Sequence, residues 1–272
     1  MNIVYHLCIR FHCNNLMFSG WFNKNKRESN KNSINTRELM FAFLGADLHS
    51  HFIPGIDDGA ATIEDSLLLL RAMADMGYNT IITTPHIMID FYPNTPEKIL
   101  NGLDKLQVAV KENGINISLR AAAEYFLDER FVESLEKKEK LLTIRDNEVL
   151  IEFSTFSEPQ RFKEVIFKMM TGGYRPIIAH PERYLYFNNN LENFVDLKDR
   201  GCLLQMNLLS ISGYYGAAVK KTTELLLEEK LYDFCGSDVH HERHINAMKA
   251  LIQTKNYDKL ANYPFLNKKL CF

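Results

Sequence analysis

The stretch DLHSHFIPGIDDGA, residues 47–60, follows directly on the apolar run Phe41–Ala46. It places two histidines two residues apart, an acid just before them and two acids shortly after. Residues i and i+2 of a strand point to the same side, so the His49 and His51 imidazoles can reach one metal ion if this segment is extended. Alone, H-x-H is a weak sign of a metal and reads more readily as hydrogen-bonded structural histidines, so the segments around it decide.

Outward from this stretch the chain alternates. An amphipathic helix is expected over Thr62–Met76, with Thr62 as cap and Glu64 and Asp65 in the first turn. TIITTPH reads as a strand. Thr95-Pro96-Glu97 opens a helix that runs to about Glu112 and stops at Asn113-Gly114. INISLRAAAEY and VLIEFS are the next strands, and a helix spans roughly Pro159–Met170. RPIIAHPER, CLLQMN and LYDFCGSDVH are three more strands, separated by helices near Leu191–Arg200 and Gly216–Lys230. The tail is helical or irregular, with ANYPFLNK packing back on the body, and KKEK at 137–140 is a solvated turn. Short apolar strands alternating with helices imply a parallel α/β sheet. Seven or eight such units over residues 41–272, without a linker or an internal repeat, favour a closed barrel in a single domain.

The 272 residues are 46% hydrophobic and 24% charged, enough for one large core. A net charge of −2 lacks the basic footprint of nucleic-acid binders. No apolar run reaches the roughly 18 residues of a membrane span. Five scattered cysteines read as reduced thiols of a cytoplasmic protein. Residues 1–40 read as a flexible leader: the opening segment is no convincing signal peptide, and NKNKRESNKNSINT is polar and Asn/Lys-rich. His6, Cys8, His12 and Cys13 match no familiar zinc spacing, and translation starting at Met17 would remove them.

The strand exits hold the functional signal. They carry His49, His51, Asp57 and Asp58, then His86, Glu124, Glu152 and His180, and finally Asp238 and His240. In an α/β barrel those ends converge on one face, where active sites are built. A structural explanation would have to hold separately at nearly every strand, whereas one metal cluster accounts for all of them. Mixed imidazole and carboxylate donors without a thiolate suit manganese, iron or zinc in a cluster of two or three ions, which Glu124 could bridge. Such clusters serve phosphoester hydrolysis. Arg183 and Arg243, each three residues past a histidine of the set, could fork onto phosphate oxygens, which favours a phosphate substrate over a neutral ester or amide.

In this order, DLHSHFIPGIDDGA, TTPH, AAAEYF, LIEFS, IIAHPERY and GSDVHH resemble the PHP superfamily, and within it the bacterial capsule-type tyrosine-protein phosphatases of the CpsB/CapC-like group. The similarity covers about residues 44–262. It implies a distorted TIM-like (β/α)7 barrel with a three-metal site, usually manganese-dependent. The ligands it implies are His49, His51, Asp58, His86, Glu124, Glu152, His180, Asp238 and His240. Asp57 is then the non-ligand of the acidic pair. Arg183 matches the family's phosphate-contacting arginine, and Arg243 matches less well because spacing after D-x-H varies. The implied reaction is metal-assisted hydrolysis of protein phosphotyrosine, with the tyrosine-rich tail of a bacterial tyrosine autokinase controlling polysaccharide export as substrate. No cysteine is followed six residues on by an arginine, which excludes the thiol-type tyrosine phosphatases. The alternatives are a phosphatase of small monoesters such as histidinol phosphate, a barrel amidohydrolase, and a degenerate barrel that only binds. Tyr214 and Tyr215 could line the substrate mouth or simply pack.

Overall fold

Two β-sheets carry the molecule, every pairing in them parallel. The computed structural model describes residues 40–188 and 190–271. The leader, its His6, Cys8, His12 and Cys13, and Trp21 lie outside the described residues. Strands β1 (Ala46–Asp47), β2 (Thr80–Thr83) and β4 (Ser118–Ala121) form one sheet in that order. Strands β3 (His86–Ile87), β5 (Glu124–Phe126), β6 (Glu148–Glu152), β7 (Arg175–Ala179), β8 (Leu203–Asn207) and β9 (Phe234–Gly236) form the other.

The expected second and third strands are each interrupted. TIITTPH breaks into β2 and β3 at Thr84-Pro85, because Pro85 has no N–H to give to a ladder. INISLRAAAEY breaks beside it, into β4 and β5. The two fragments stay side by side through bonds from Ala122 N–H to Thr83 O (2.9 Å) and from Glu124 N–H to Pro85 O (3.1 Å). The first and last segments also meet, outside any named ladder. Asp238 N–H donates to His49 O at 2.7 Å, His51 N–H donates to Val239 O at 3.0 Å, and Ser50 bridges Val239. The Asp47 carboxylate, fully buried, accepts from both N–H and Oγ of Ser237, each at 2.8 Å.

The helices begin where the caps say. In α1 (Ile63–Asp75) Thr62 and Asp65 form a reciprocal capping box, and α2 (Pro96–Glu112) starts with Thr95 as cap and proline in its first turn. Helix α3 (Glu129–Glu136) was not expected. Its signal is Asp128, whose side chain accepts from Phe131 N–H at 2.9 Å. Helices α4 (Phe162–Thr171), α5 (Leu191–Asp199) and α6 (Ala217–Glu228) follow as expected, and α7 (Glu242–Leu251) and α8 (Lys255–Ala261) fill the tail.

Alternation along the strands separates two cores. Ile82, Ala122, Leu150, Ile177, Leu203 and Phe234 cluster together on one face. Their neighbours Ile81, Val149, Ile151, Ile178, Leu204 and Cys235 pack with helix residues such as Leu70, Leu106 and Ile166. Continuing the first face by two or four residues gives His86 after Ile82, Glu124 after Ala122, Glu152 after Leu150, Gln205 after Leu203, and Gly236 then Asp238 after Phe234. The apolar cluster is thus a pedestal, and the polar side chains stand on it at the C-terminal ends of the strands. Gly236 lies where two of them crowd: a Cβ there would meet His49 Cβ and Gln205 Nε2, each at 2.6 Å.

Candidate metal centre

Glu124 is the hub of the polar floor. It is 1% exposed. Its Oε2 lies 3.1 Å from His49 Nε2, 3.1 Å from His86 Nδ1 and 3.5 Å from His51 Nε2, and its Oε1 lies 3.2 Å from His180 Nε2. Asp238 Oδ1 is 3.3 Å from His49 Nε2 and 3.5 Å from both His51 Nε2 and His240 Nδ1. Glu152 approaches His180 Nε2 at 3.6 Å and His86 Nδ1 at 3.8 Å. Asp58, half exposed, closes the far side 3.4 Å from His240 Nε2 and 3.6 Å from His86 Nε2. Ligand-capable atoms therefore gather in overlapping groups: His51, Asp58, His86 and His240; His49, His51 and Glu124; His49, His180 and Asp238; His86, Glu124 and Glu152. All nine residues singled out as possible ligands fall in these groups.

The outer nitrogens of the first two histidines are already committed. His49 Nδ1 is 2.8 Å from Gln205 Oε1, and His51 Nδ1 is 2.8 Å from Asp57 Oδ2. Both partners accept, so Nδ1 carries the proton, and in the neutral imidazole Nε2 presents a lone pair. Those lone pairs point at carboxylate oxygens. His49 Nε2, His51 Nε2, His86 Nδ1 and both Glu124 oxygens are buried without a hydrogen-bond partner. Lone pairs facing lone pairs in a buried site call for cations between them. The charge balance agrees: five carboxylates (Asp57, Asp58, Glu124, Glu152, Asp238) meet one guanidinium, Arg183, a net −4 that two divalent ions would cancel and a third would turn positive.

Protons are the protein's own answer to that deficit. Burial alone would strip the proton from His49, but the charges of Glu124 and Asp238 raise its pKa to about 9. Burial and the Glu124 charge push Glu152 well above the ordinary carboxylate range, against the pull of Arg183. Burial and the nearby Arg183 charge lower His180 to about 4. Burial would raise Asp238, yet His49, His51, His240 and Arg183 hold it well below its usual value. A site in which imidazoles keep protons only because carboxylates surround them is one where a metal ion can replace those protons.

Two backbone features aim these side chains. His180 (φ 31°) and Asp238 (φ 53°) both adopt left-handed conformations, uncommon for residues with a Cβ. Each turns the chain sharply at a strand exit. His180 precedes a short 3₁₀ turn, Pro181–Arg183, in which buried Glu182 accepts from Asn207 N–H (2.9 Å) and from Tyr232 OH (3.0 Å).

Arg183 reaches back over the cluster. Its Nη1 donates to Asp238 Oδ2 at 2.9 Å, and its guanidinium lies 4.6 Å over the Tyr215 ring. Asn207 Nδ2 donates to the same Asp238 oxygen at 2.9 Å and to Tyr215 OH at 3.2 Å. Arg243 is not brought to the site. It is exposed in the first turn of α7, while His241 and His244 of that segment line the cavity. Tyr215 lines the cavity; Tyr214, partly exposed, sits edge-on to His244 at 5.4 Å. The cavity over the floor measures about 830 Å³. Gln205, Asn207 and Glu182 were missed in the sequence. Asp57 sits where a supporting acid should: besides His51, it takes N–H bonds from Gly59 (3.0 Å) and His86 (3.2 Å).

Comparison with known proteins adds independent findings. The family model for capsular polysaccharide synthesis proteins CpsB/CapC matches residues 45–261. The chain is 30% identical to the tyrosine-protein phosphatase YwqE of Bacillus subtilis over 75% of this chain and 82% of that protein. It is 31% identical to the tyrosine-protein phosphatase CpsB of Streptococcus pneumoniae over 72% of this chain and 82% of that protein. A crystal structure from work on YwqE and CpsB, described there as metal-dependent tyrosine phosphatases, superposes with a TM-score of 0.69 at 27% identity, covering 79% of this chain and 89% of the other. A lactonase from Listeria monocytogenes shares the fold alone, with a TM-score of 0.51 at 12% identity.

Proposed function

We propose that this chain, which belongs to the CpsB/CapC family of capsular polysaccharide synthesis, is a metal-dependent protein-tyrosine phosphatase built on a distorted (β/α)7 barrel from about residue 41 onward. One observation carries the reading: buried imidazole and carboxylate lone pairs converge on Glu124 with nothing but each other to face, beneath an arginine in the same cavity. The named phosphatase relatives support the class of substrate. The bonds joining the β1 and β9 exits support the closed barrel.

His49, His51, Asp58, His86, Glu124, Glu152, His180, Asp238 and His240 would hold the ions, most simply three. The donor set fits manganese, with iron or zinc also compatible. When bound, such ions acidify water and offset charge on phosphoryl oxygens. Gln205 and Asp57 orient His49 and His51 from behind, as supporting acceptors do in metal sites. Arg183 keeps Nη1 on Asp238 and leaves other guanidinium N–H groups for phosphate oxygens, its plane steadied by Tyr215. The tyrosine phenolate, with a solution pKa near 10, leaves with less help from an acid than an alkoxide does.

The substrate that fits the family's role is the tyrosine-rich tail of a bacterial tyrosine autokinase that controls polysaccharide export. Buried, unpaired Cys202 and Cys235 support a cytoplasmic setting. Among the described residues no helix is long and apolar enough to cross a membrane. The test is hydrolysis of a phosphotyrosine peptide, with and without manganese, beside histidinol phosphate at equal concentration. Manganese-dependent release from the peptide, well above the small substrate, is expected. Preference for histidinol phosphate would replace the protein substrate with a small monoester.

A further inference from the structure

The floor of the cavity is charged, but its rim is aromatic. Phe91 and Phe156 both line the cavity, 69% and 96% exposed. Neither packs into the core, and each sits on a short, pinned loop. Met88 and Tyr92 exchange backbone hydrogen bonds in both directions (3.0 and 2.9 Å), and Ile89 N–H donates to Asp128 Oδ2 at 2.9 Å, so Phe91 projects from a tight tip. The loop after β6 is held where Tyr186 OH donates to Ser154 O at 2.8 Å and Phe156 N–H donates to Ser154 Oγ at 3.3 Å. A phosphate group needs only the polar floor. Two exposed phenyl groups on fixed loops beside that floor offer nothing to phosphate and much to a flat apolar group attached to it.

We propose that Phe91 and Phe156 are specificity-determining residues that pack against the phenyl ring of the phosphotyrosyl group, so that the site selects aryl over alkyl phosphates. The proposal rests on the phosphatase reading for the identity of the ring, while the aryl preference itself is a property of the rim. Ring–ring contacts at an opening gain both burial and favourable edge or offset geometry, which an alkyl chain from phosphoserine cannot match. Because both side chains are exposed, removing them leaves the core untouched.

The experiment is calorimetric titration of the manganese-loaded protein with phenylphosphonate and with methylphosphonate, in the wild type and in the Phe91→Ala/Phe156→Ala double variant. The wild type is expected to bind phenylphosphonate more tightly. The double variant should lose about tenfold for phenylphosphonate and less than about twofold for methylphosphonate. Equal losses for both ligands, or no loss for either, would overturn the proposal. Hydrolysis of phosphotyrosine and phosphoserine peptides by the wild type separates the two claims. If neither peptide is hydrolysed but the aryl preference is present and vanishes in the double variant, the phosphatase reading fails and the aromatic rim stands.

Discussion

Gln205→Leu tests the residues that stand behind the proposed ligands. Gln205 is fully buried in β8, with Oε1 2.8 Å from His49 Nδ1 and 3.4 Å from His180 N, and with Nε2 donating to Met206 O at 2.6 Å. Leucine fills similar volume and removes the acceptor. The His49 Nδ1–H is then buried without a partner, which costs about 1–3 kcal/mol. That cost falls on the tautomer that offers Nε2 to a metal. It should therefore appear as weaker metal binding by about 10–100-fold, equivalent to ~1.4–2.8 kcal/mol, the range seen when supporting partners of metal histidines are lost. Gln205→Glu keeps the acceptor and adds negative charge behind His49, so it should bind manganese at least as well as the wild type. The assay is manganese titration against a competing chelator, with a thermal melt to confirm that both variants fold. A folded Gln205→Leu protein with wild-type manganese affinity would refute the claim that Gln205 sets the His49 tautomer.

Other consequences are as direct. Arg183→Ala should lower kcat/KM on a phosphotyrosine peptide by about 10²–10³-fold, as loss of a single charge-stabilising donor does, with metal content retained; an emptied metal site would show that Arg183 serves Asp238 instead. Because Glu124 and Asp238 hold the His49 proton to about pH 9, a metal ion bound at the proposed site would have to displace it: uptake at neutral pH should release protons, and affinity should rise with pH up to that value. Calorimetry in buffers of different protonation enthalpy reads this directly, and a buffer-independent heat would contradict it. Tyr184→Phe removes a buried hydroxyl that donates to Ala179 O (2.8 Å) and accepts from Phe153 N–H (2.9 Å). It should destabilise the fold by about 1–3 kcal/mol in urea titrations, and an unchanged midpoint would show that those backbone groups find other partners.

Which features could be read in the sequence follows from what each residue costs to bury. Histidines and acids at strand exits have few structural reasons to be there, so their recurrence at nearly every exit was informative even though each alone was not. Helix starts were equally legible where a cap and a first-turn acid or proline coincided, at Thr62 and Thr95. The short helix α3 was missed although Phe131, Val132 and Leu135 fall at helical spacing behind the Asp128 cap and Glu129; at two turns it is too short to stand out from a connecting loop. The broken strands reflect Pro85, visible as a letter but decisive only once β5 had to reach past it.

Arg243 and Gln205 mark the two limits. Arg243 was read from its nearness to D-x-H, but the first turn of α7 separates neighbours around the helix axis, so it turns to solvent while His244 turns inward. A string such as H-H-E-R-H does not say where the helix starts, and one residue of register decides which side chain faces the cavity. Gln205 lies 156 residues from His49, and glutamine is common on any surface. Its role exists only when β8 and the His49 segment are placed together, with Gly236 leaving the space between them. The proposed ligands are thus legible because unsatisfied charge is too costly to leave at a strand end by accident. Supporting amides such as Gln205 and Asn207 are cheap enough to bury that each has many explanations, and only the three-dimensional contact selects one.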